Sequence, residues 1–301
     1  MINTVLGTVS EQSLGITLTH EHVCCYSEYA YQMMGDAYLE KKVLAEVASK
    51  GLARLKSTHH LTSFIDCTPV NIGRDIDLLK RVSEQSEVNI LCATGFYYTD
   101  EPVLYNTSTD RLCQFIVNDA KNVNAAIIKC AVEQPTLTAF GEKILRASAM
   151  AHRHLGLPIV MHTNAKNQNA LPALEILFSE GVSPEAITVG HLSDTRDLEF
   201  IRSIASLGCF IGLDRLYDNF SEEYVERKLT SIRTLCEHGY EDRILLSHDA
   251  VFFSGFREDP QINEYPRLPY VFEHILPALP SELSRKLMIE NPLRMLSCRH
   301  S

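Results

Sequence analysis

The stretch Ile16-Thr17-Leu18-Thr19-His20-Glu21-His22-Val23 decides the fold. Its β-branched and apolar residues predict a buried strand over 16–23. Residues i and i+2 of a strand face the same side, so His20 and His22 can grip one metal ion together at its C-terminal end. Seven further runs of the same kind follow: 63–69 (SFIDCTP), 89–97 (NILCATGFY), 125–132 (AAIIKCAV), 158–164 (PIVMHTN), 187–193 (ITVGHLS), 209–215 (CFIGLDR) and 243–250 (RILLSHDA). They are near-continuous apolar runs, the pattern of parallel strands covered on both faces.

Amphipathic segments separate the runs. In 138–155, Phe140, Ile144, Ala147 and Ala151 recur at helical spacing behind Thr138 as N-cap. In 221–238, Ser221 followed by Glu222 and Glu223 suits a helix start by capping and dipole. Leu283, Leu287 and Leu296 run along a final helix interrupted at Pro292. Eight β-α units without a linker or composition break predict an α/β fold, a (β/α)8 TIM barrel. Residues 3–15 form a hairpin-like β lead-in, and 1–301 is one domain.

Bulk properties exclude several functions. At 301 residues the chain has an ordinary length for one α/β barrel. Its net charge of −10, with no basic cluster, argues against a nucleic-acid surface. No apolar run reaches membrane-span length, and the start lacks the cationic and apolar regions of a signal peptide, so no membrane partner is expected. The 9 cysteines are scattered, odd in number and without a C-x-x-C pair, which fits a reducing, cytoplasmic setting. Cys24 and Cys25, beside the histidine pair, are either small core residues or soft metal ligands.

Barrel strands present reactive groups at their C-terminal ends. There stand His20 and His22 on strand one, Lys129 on strand four, His162 on strand five, His191 on strand six and Asp249 on strand eight. Imidazole nitrogen and carboxylate oxygen suit Zn²⁺ or a similar first-row ion such as Mn²⁺ or Co²⁺. Taken singly, each has a plain alternative: a hydrogen-bonded core histidine, a loop-capping Asp249, a surface Lys129. Together they exceed what one tetrahedral site needs, so two metals is the economical reading. Lys129 is the odd member, because an ammonium would repel two divalent cations. Carbamylation by CO₂ would turn it into an anion able to bridge them, and Ala126-Ile127-Ile128 gives it a dry setting. His248 adjoins Asp249 but faces away from the barrel axis. The remaining histidines fall in helices or loops.

In LTHEHV (18–23), ATGFY (93–97), IIK (127–129), MHTNA (161–165), VGHLSDT (189–195), IGLDR (211–215), LSHD (246–249) and ENPLRML (290–296), the chain resembles the phosphotriesterase-related branch of the amidohydrolase superfamily over its whole length. The resemblance implies a binuclear metal centre: one ion on His20, His22 and Asp249, the other on His162 and His191, with carbamylated Lys129 and a hydroxide between them. Asp249 would also accept the proton of the attacking hydroxide. Tyr97 either donates a hydrogen bond beside the metals or lines the barrel mouth. Asp194 and Arg215 orient the site, or Arg215 only pairs with a carboxylate. Organophosphate-specialised members carry His after Gly-Leu-Asp, whereas lactonase-like members carry Arg, as here at Arg215. The resemblance therefore favours an ester or lactone substrate, with some phosphotriester or phosphonate activity. A phosphate-ester hydrolase, an amidase and a non-catalytic ligand-binding barrel are the rivals. Homodimers are frequent among such proteins.

The loops after strands one and eight hold Tyr26, Tyr29, Tyr31, Met33 and Met34, and Val251-Phe252-Phe253-Ser254-Gly255-Phe256-Arg257. Both offer apolar area to an acyl or leaving group, although part of each must pack against the barrel. Lys166 and Arg257 would recognise an anionic substituent or stay solvated.

Overall fold

A computed structural model describes residues 1–99, 101–216, 221–264 and 267–297. An antiparallel pair, β1 (Ile2–Thr4) and β2 (Gly7–Val9), opens the chain as the lead-in. Then come β3 (Ile16–Cys25), β4 (Leu61–Asp66), β5 (Asn89–Gly95), β6 (Ile127–Ala131), β7 (Ile159–His162), β8 (Ile187–Val189), β9 (Phe210–Leu213) and β10 (Ile244–Leu246). They pair in chain order and all parallel. A helix lies between each strand and the next, from Lys41–His59 after β3 to Glu222–Glu237 after β9. This is the α/β barrel that the apolar runs predict. Thr138 and Ser221 cap their helices as expected, each side chain accepting the backbone N–H three residues on.

Two apolar layers result. Helix faces pack on the outside of the sheet. Inside, Ile65, Leu91, Ala93, Ile127, Val160, Phe210 and Leu245 fill the lower barrel, and Ile2, Leu14, Met295 and Leu296 from the two chain ends plug its base. Because strand side chains alternate, the next inward positions up from Ile127 and Val160 are Lys129 and His162. The reactive layer thus rests on a dry floor.

The closure between β10 and β3 is made by few bonds, all at the upper end. His20 N–H donates to Ser247 Oγ at 2.9 Å, and Asp249 N–H donates to His20 O at 3.0 Å. A ninth strand, β11 (Val251–Ser254), then pairs in parallel with the upper half of β3, along the edge opposite β4. Sequence reading put this segment in a substrate loop, but Phe252 and Phe253 are buried core residues. The segment Glu28–Met34 after β3 is likewise a helix, with Tyr26 buried and Tyr29 exposed. The final helix is not broken at Pro292: a π-helical turn, Lys286–Glu290, leads into Asn291–Ser297, and that wider turn accommodates the missing proline N–H. No helix among the described residues is long and apolar enough to cross a membrane.

Gly95 ends β5 with φ of 99°, and a Cβ there would sit 2.0 Å from Lys129 O. This close approach lets β5 and β6 meet directly beneath Lys129. Gly95→Ala is expected to lower unfolding free energy by more than about 3 kcal/mol in urea denaturation, since strain and overlap add. Gly239→Ala, at φ of 77° in open space, would cost only about 1 kcal/mol. Equal effects at the two positions would refute the packing role.

Candidate metal centre

Each donor is aimed by a local feature. Register between β3 and β4 slips between Leu18 and Glu21, a bulge at Thr19-His20 that turns the histidine pair toward the barrel axis. Lys129 and His162 reach the same layer by alternation on β6 and β7. His191 and Asp249 do not sit on strands as the 187–193 and 243–250 runs predict. β8 stops at Val189 and β10 at Leu246, and both residues adopt left-handed backbone conformations, φ 64° and 52°. Non-glycine residues rarely take this conformation, and here it folds both side chains back over the strand ends.

The hydrogen bonds assign the ring tautomers. Buried Asp214 accepts from Nδ1–H of His20 at 2.6 Å and of His191 at 3.0 Å, and from the His191 backbone N–H at 2.7 Å. Both rings therefore turn an Nε2 lone pair into the barrel. That of His20 lies 2.7 Å from Lys129 Nζ, and that of His191 lies 2.7 Å from His162 Nδ1. Thr68 Oγ1 donates to Cys24 O, so it accepts from His22 Nδ1 at 2.8 Å. This leaves His22 Nε2 facing Asp249 Oδ1 at 3.1 Å. On the other side Arg215 Nε donates to Asp249 Oδ2 and its Nη1 to Asp194 Oδ2, each at 2.7 Å.

A lone pair facing a carboxylate oxygen demands a cation between them. In the metal-free protein a proton fills that role. Burial opposes charge on His22, but Cys25 and Asp249 raise its pKa well above the ordinary histidine value. Burial alone would raise Asp249, yet His191, His22 and Arg215 hold it well below the usual carboxylate range. His20, by contrast, is pushed down to about 3 by burial and by Lys129 beside it, so it is neutral and free to ligate at physiological pH. Ligand atoms of His20, His22 and Asp249 lie within 4.8 Å of one another, as do those of His20, His191 and Asp214. In the second group Asp214 holds the outward nitrogens, so it orients the rings. The donor set fits divalent metals.

A profile of the phosphotriesterase family matches residues 1–296. The chain belongs to the phosphotriesterase family. Members are typically binuclear metal enzymes, and the family marks this chain as a hydrolase. It is 30% identical to the aryldialkylphosphatase of Saccharolobus solfataricus, covering 96% of this chain and 97% of that protein. It is 29% identical to the phosphotriesterase homology protein of Mycobacterium tuberculosis, over 98% and 97% of the two chains. It is 27% identical to the human N-acetyltaurine hydrolase, again over 98% and 97%.

All nine site residues singled out from the sequence lie in this place. Tyr97 stands at its edge, its hydroxyl 3.5 Å from both ring nitrogens of His162. Cys24 and Cys25 join neither ligand group among the described residues. His248 is fully buried and points away, giving Nδ1–H to Glu21 and accepting from Val271 N–H at Nε2. His300 lies outside the described residues. The sequence reading missed Asp214, Thr68 and Glu21. Glu21 accepts from Ser247 Oγ, His248 N and Nδ1, and Ala250 N, pinning the turn that carries Asp249. The one available signal was position: Asp214 ends the β9 run next to Arg215, and Glu21 separates the two histidines.

Asp214→Asn keeps the shape but can accept from only one imidazole, so Zn²⁺ affinity is expected to fall about 10–100-fold in a competition titration. In the same titration wild-type affinity should rise with pH across the neutral range, because metal must displace the proton on His22. Unchanged affinity in the variant would remove Asp214 from the account.

Proposed function

We propose that the chain is a binuclear divalent-metal hydrolase that cleaves carboxylic esters or lactones, with phosphotriesters or phosphonates as secondary substrates. The observation that carries this reading is the convergence of inward lone pairs around Lys129 and Asp249 on a dry barrel floor. One ion, with Zn²⁺ favoured by the donors and Mn²⁺ or Co²⁺ compatible with them, would rest on His20, His22 and Asp249. A second would rest on His162 and His191, with carbamylated Lys129 shared between the two. When bound, such metals supply Lewis acidity and lower the pKa of the attacking water.

The chain's own groups do the rest. Arg215 engages Asp249 Oδ2 and so fixes the carboxylate that takes the proton from the attacking water. Asp194 holds Arg215 and keeps its charge beside Asp249 as that carboxylate is neutralised. Tyr97 offers its hydroxyl to the substrate at the rim. Arg215, in place of the histidine of organophosphate-specialised members, supports esters and lactones over phosphotriesters. Amide hydrolysis on the same centre is the second reading, favoured by full-length relatives named N-acetyltaurine hydrolases. We read the whole chain, 1–301, as one catalytic domain acting on small molecules in the cytosol.

A panel of lactones, simple esters, amides and phosphotriesters on metal-loaded protein separates these readings. Lactones or esters should show the highest kcat/KM, with activity lost to a chelator and restored by Zn²⁺ or Mn²⁺. A preference of about a hundredfold for triesters would overturn the proposal. Leading amide turnover would favour the second reading.

A further inference from the structure

Beside the centre lies a cavity of about 480 Å³, bounded by the loop after β6, by Tyr98 and by the N-terminus of helix Ala139–Leu155. Neither the donor set nor the proton path uses it. Its walls are mostly neutral: Tyr98, Thr99, Gln134, Thr136 and Leu137 among them. Glu133 contributes the one carboxylate, and among the described residues no lysine, arginine or histidine lines it. Two wall residues reach the centre. Glu133 Oε2 is 3.0 Å from His162 Nε2, and the Tyr98 ring is 5.8 Å from the His162 ring.

The loop that carries Glu133 is built to be still. Buried Asn169 donates through Nδ2 to Val132 O at 3.1 Å and to Gln134 O at 3.2 Å, bracketing Glu133 on both sides. Asn167 Nδ2 donates to Glu133 O at 3.3 Å, and Asn164 Nδ2 donates to Oε1 at 2.8 Å. Each bond leaves further acceptor capacity on the carboxylate, which has about four lone-pair sites for its two present contacts. The side chain remains 31% exposed.

We infer that this cavity is the subsite for the substrate's side group, and that Glu133 selects a group donating hydrogen bonds, a protonated amine above all. The inference rests on the hydrolase reading above and narrows its substrate class. A fixed carboxylate on a wall that holds no lysine or arginine among the described residues attracts an ammonium through charge-assisted hydrogen bonds and repels an anion. A neutral isostere would leave the carboxylate's remaining lone pairs unmatched in a half-enclosed space. Glu133 therefore serves the substrate and, through His162 Nε2–H, positions a ring of the centre.

The test titrates n-butylammonium and n-butanol into the full-length protein as purified, followed by calorimetry and NMR. The ammonium should bind at least about tenfold more tightly than the alcohol, and less tightly as salt rises. Glu133→Gln should abolish the difference. Gln134→Lys, which touches none of the metal donors, should abolish it too by placing a cation in the cavity, with the fold checked by circular dichroism. Equal binding of the two probes, or ammonium binding unmoved by Gln134→Lys, overturns the inference. If the hydrolysis panel fails while butylammonium binds as described, the subsite stands and the ester reading falls. If esters are cleaved and butylammonium does not bind, only the subsite falls.

Discussion

One buried carboxylate organises the centre. Asp214 takes three N–H bonds, two from imidazoles that β3 and the turn after β8 supply and one from the backbone of His191. Burial alone would raise its pKa, but His191 and His20 hold it well below the usual carboxylate range, so it is an ionised acceptor at physiological pH. Because it accepts from both Nδ1 atoms, each ring must present Nε2 inward. Rotating or flipping either ring would leave a buried donor and a buried acceptor unpaired, at about 1–3 kcal/mol each. The lone pairs are thus aimed before any metal arrives.

The remaining geometry follows from how the barrel closes. β10 and β3 share almost no ladder, and Glu21 supplies the join instead, accepting four hydrogen bonds from the turn between β10 and β11. That turn holds Asp249 in its left-handed conformation, opposite His22 and within reach of Arg215. Fold closure and ligand placement are therefore one set of bonds. The apolar layer of Ile127, Val160, Leu245 and Phe210 beneath them excludes water from one side, which strengthens every charge interaction above it.

Much of this was legible in the chain. Apolar runs at regular spacing mark all eight barrel strands, and strand alternation explains why Lys129 follows Ile127 and His162 follows Val160 toward the site. What escaped depends on contacts between distant strands. Asp214 is one strand-end aspartate among several until His20 and His191 are seen to share it. The positive φ of His191 and Asp249 is only weakly marked in the sequence: His and Asp take it more often than most residues, but glycine alone takes it freely. Val251-Phe252-Phe253 reads as a loop lining because nothing local shows that β3 has a free edge for a ninth strand. Its aromatics belong to the core.

Diffraction from crystals of the metal-loaded protein, with anomalous data at the metal edge, tests the central claim most directly. The account requires two anomalous peaks per chain, one beside His22 and Asp249 and one beside His162 and His191, with a planar group extending from Lys129 Nζ between them. A single peak, or a bare ammonium on Lys129 with metal bound, would contradict it.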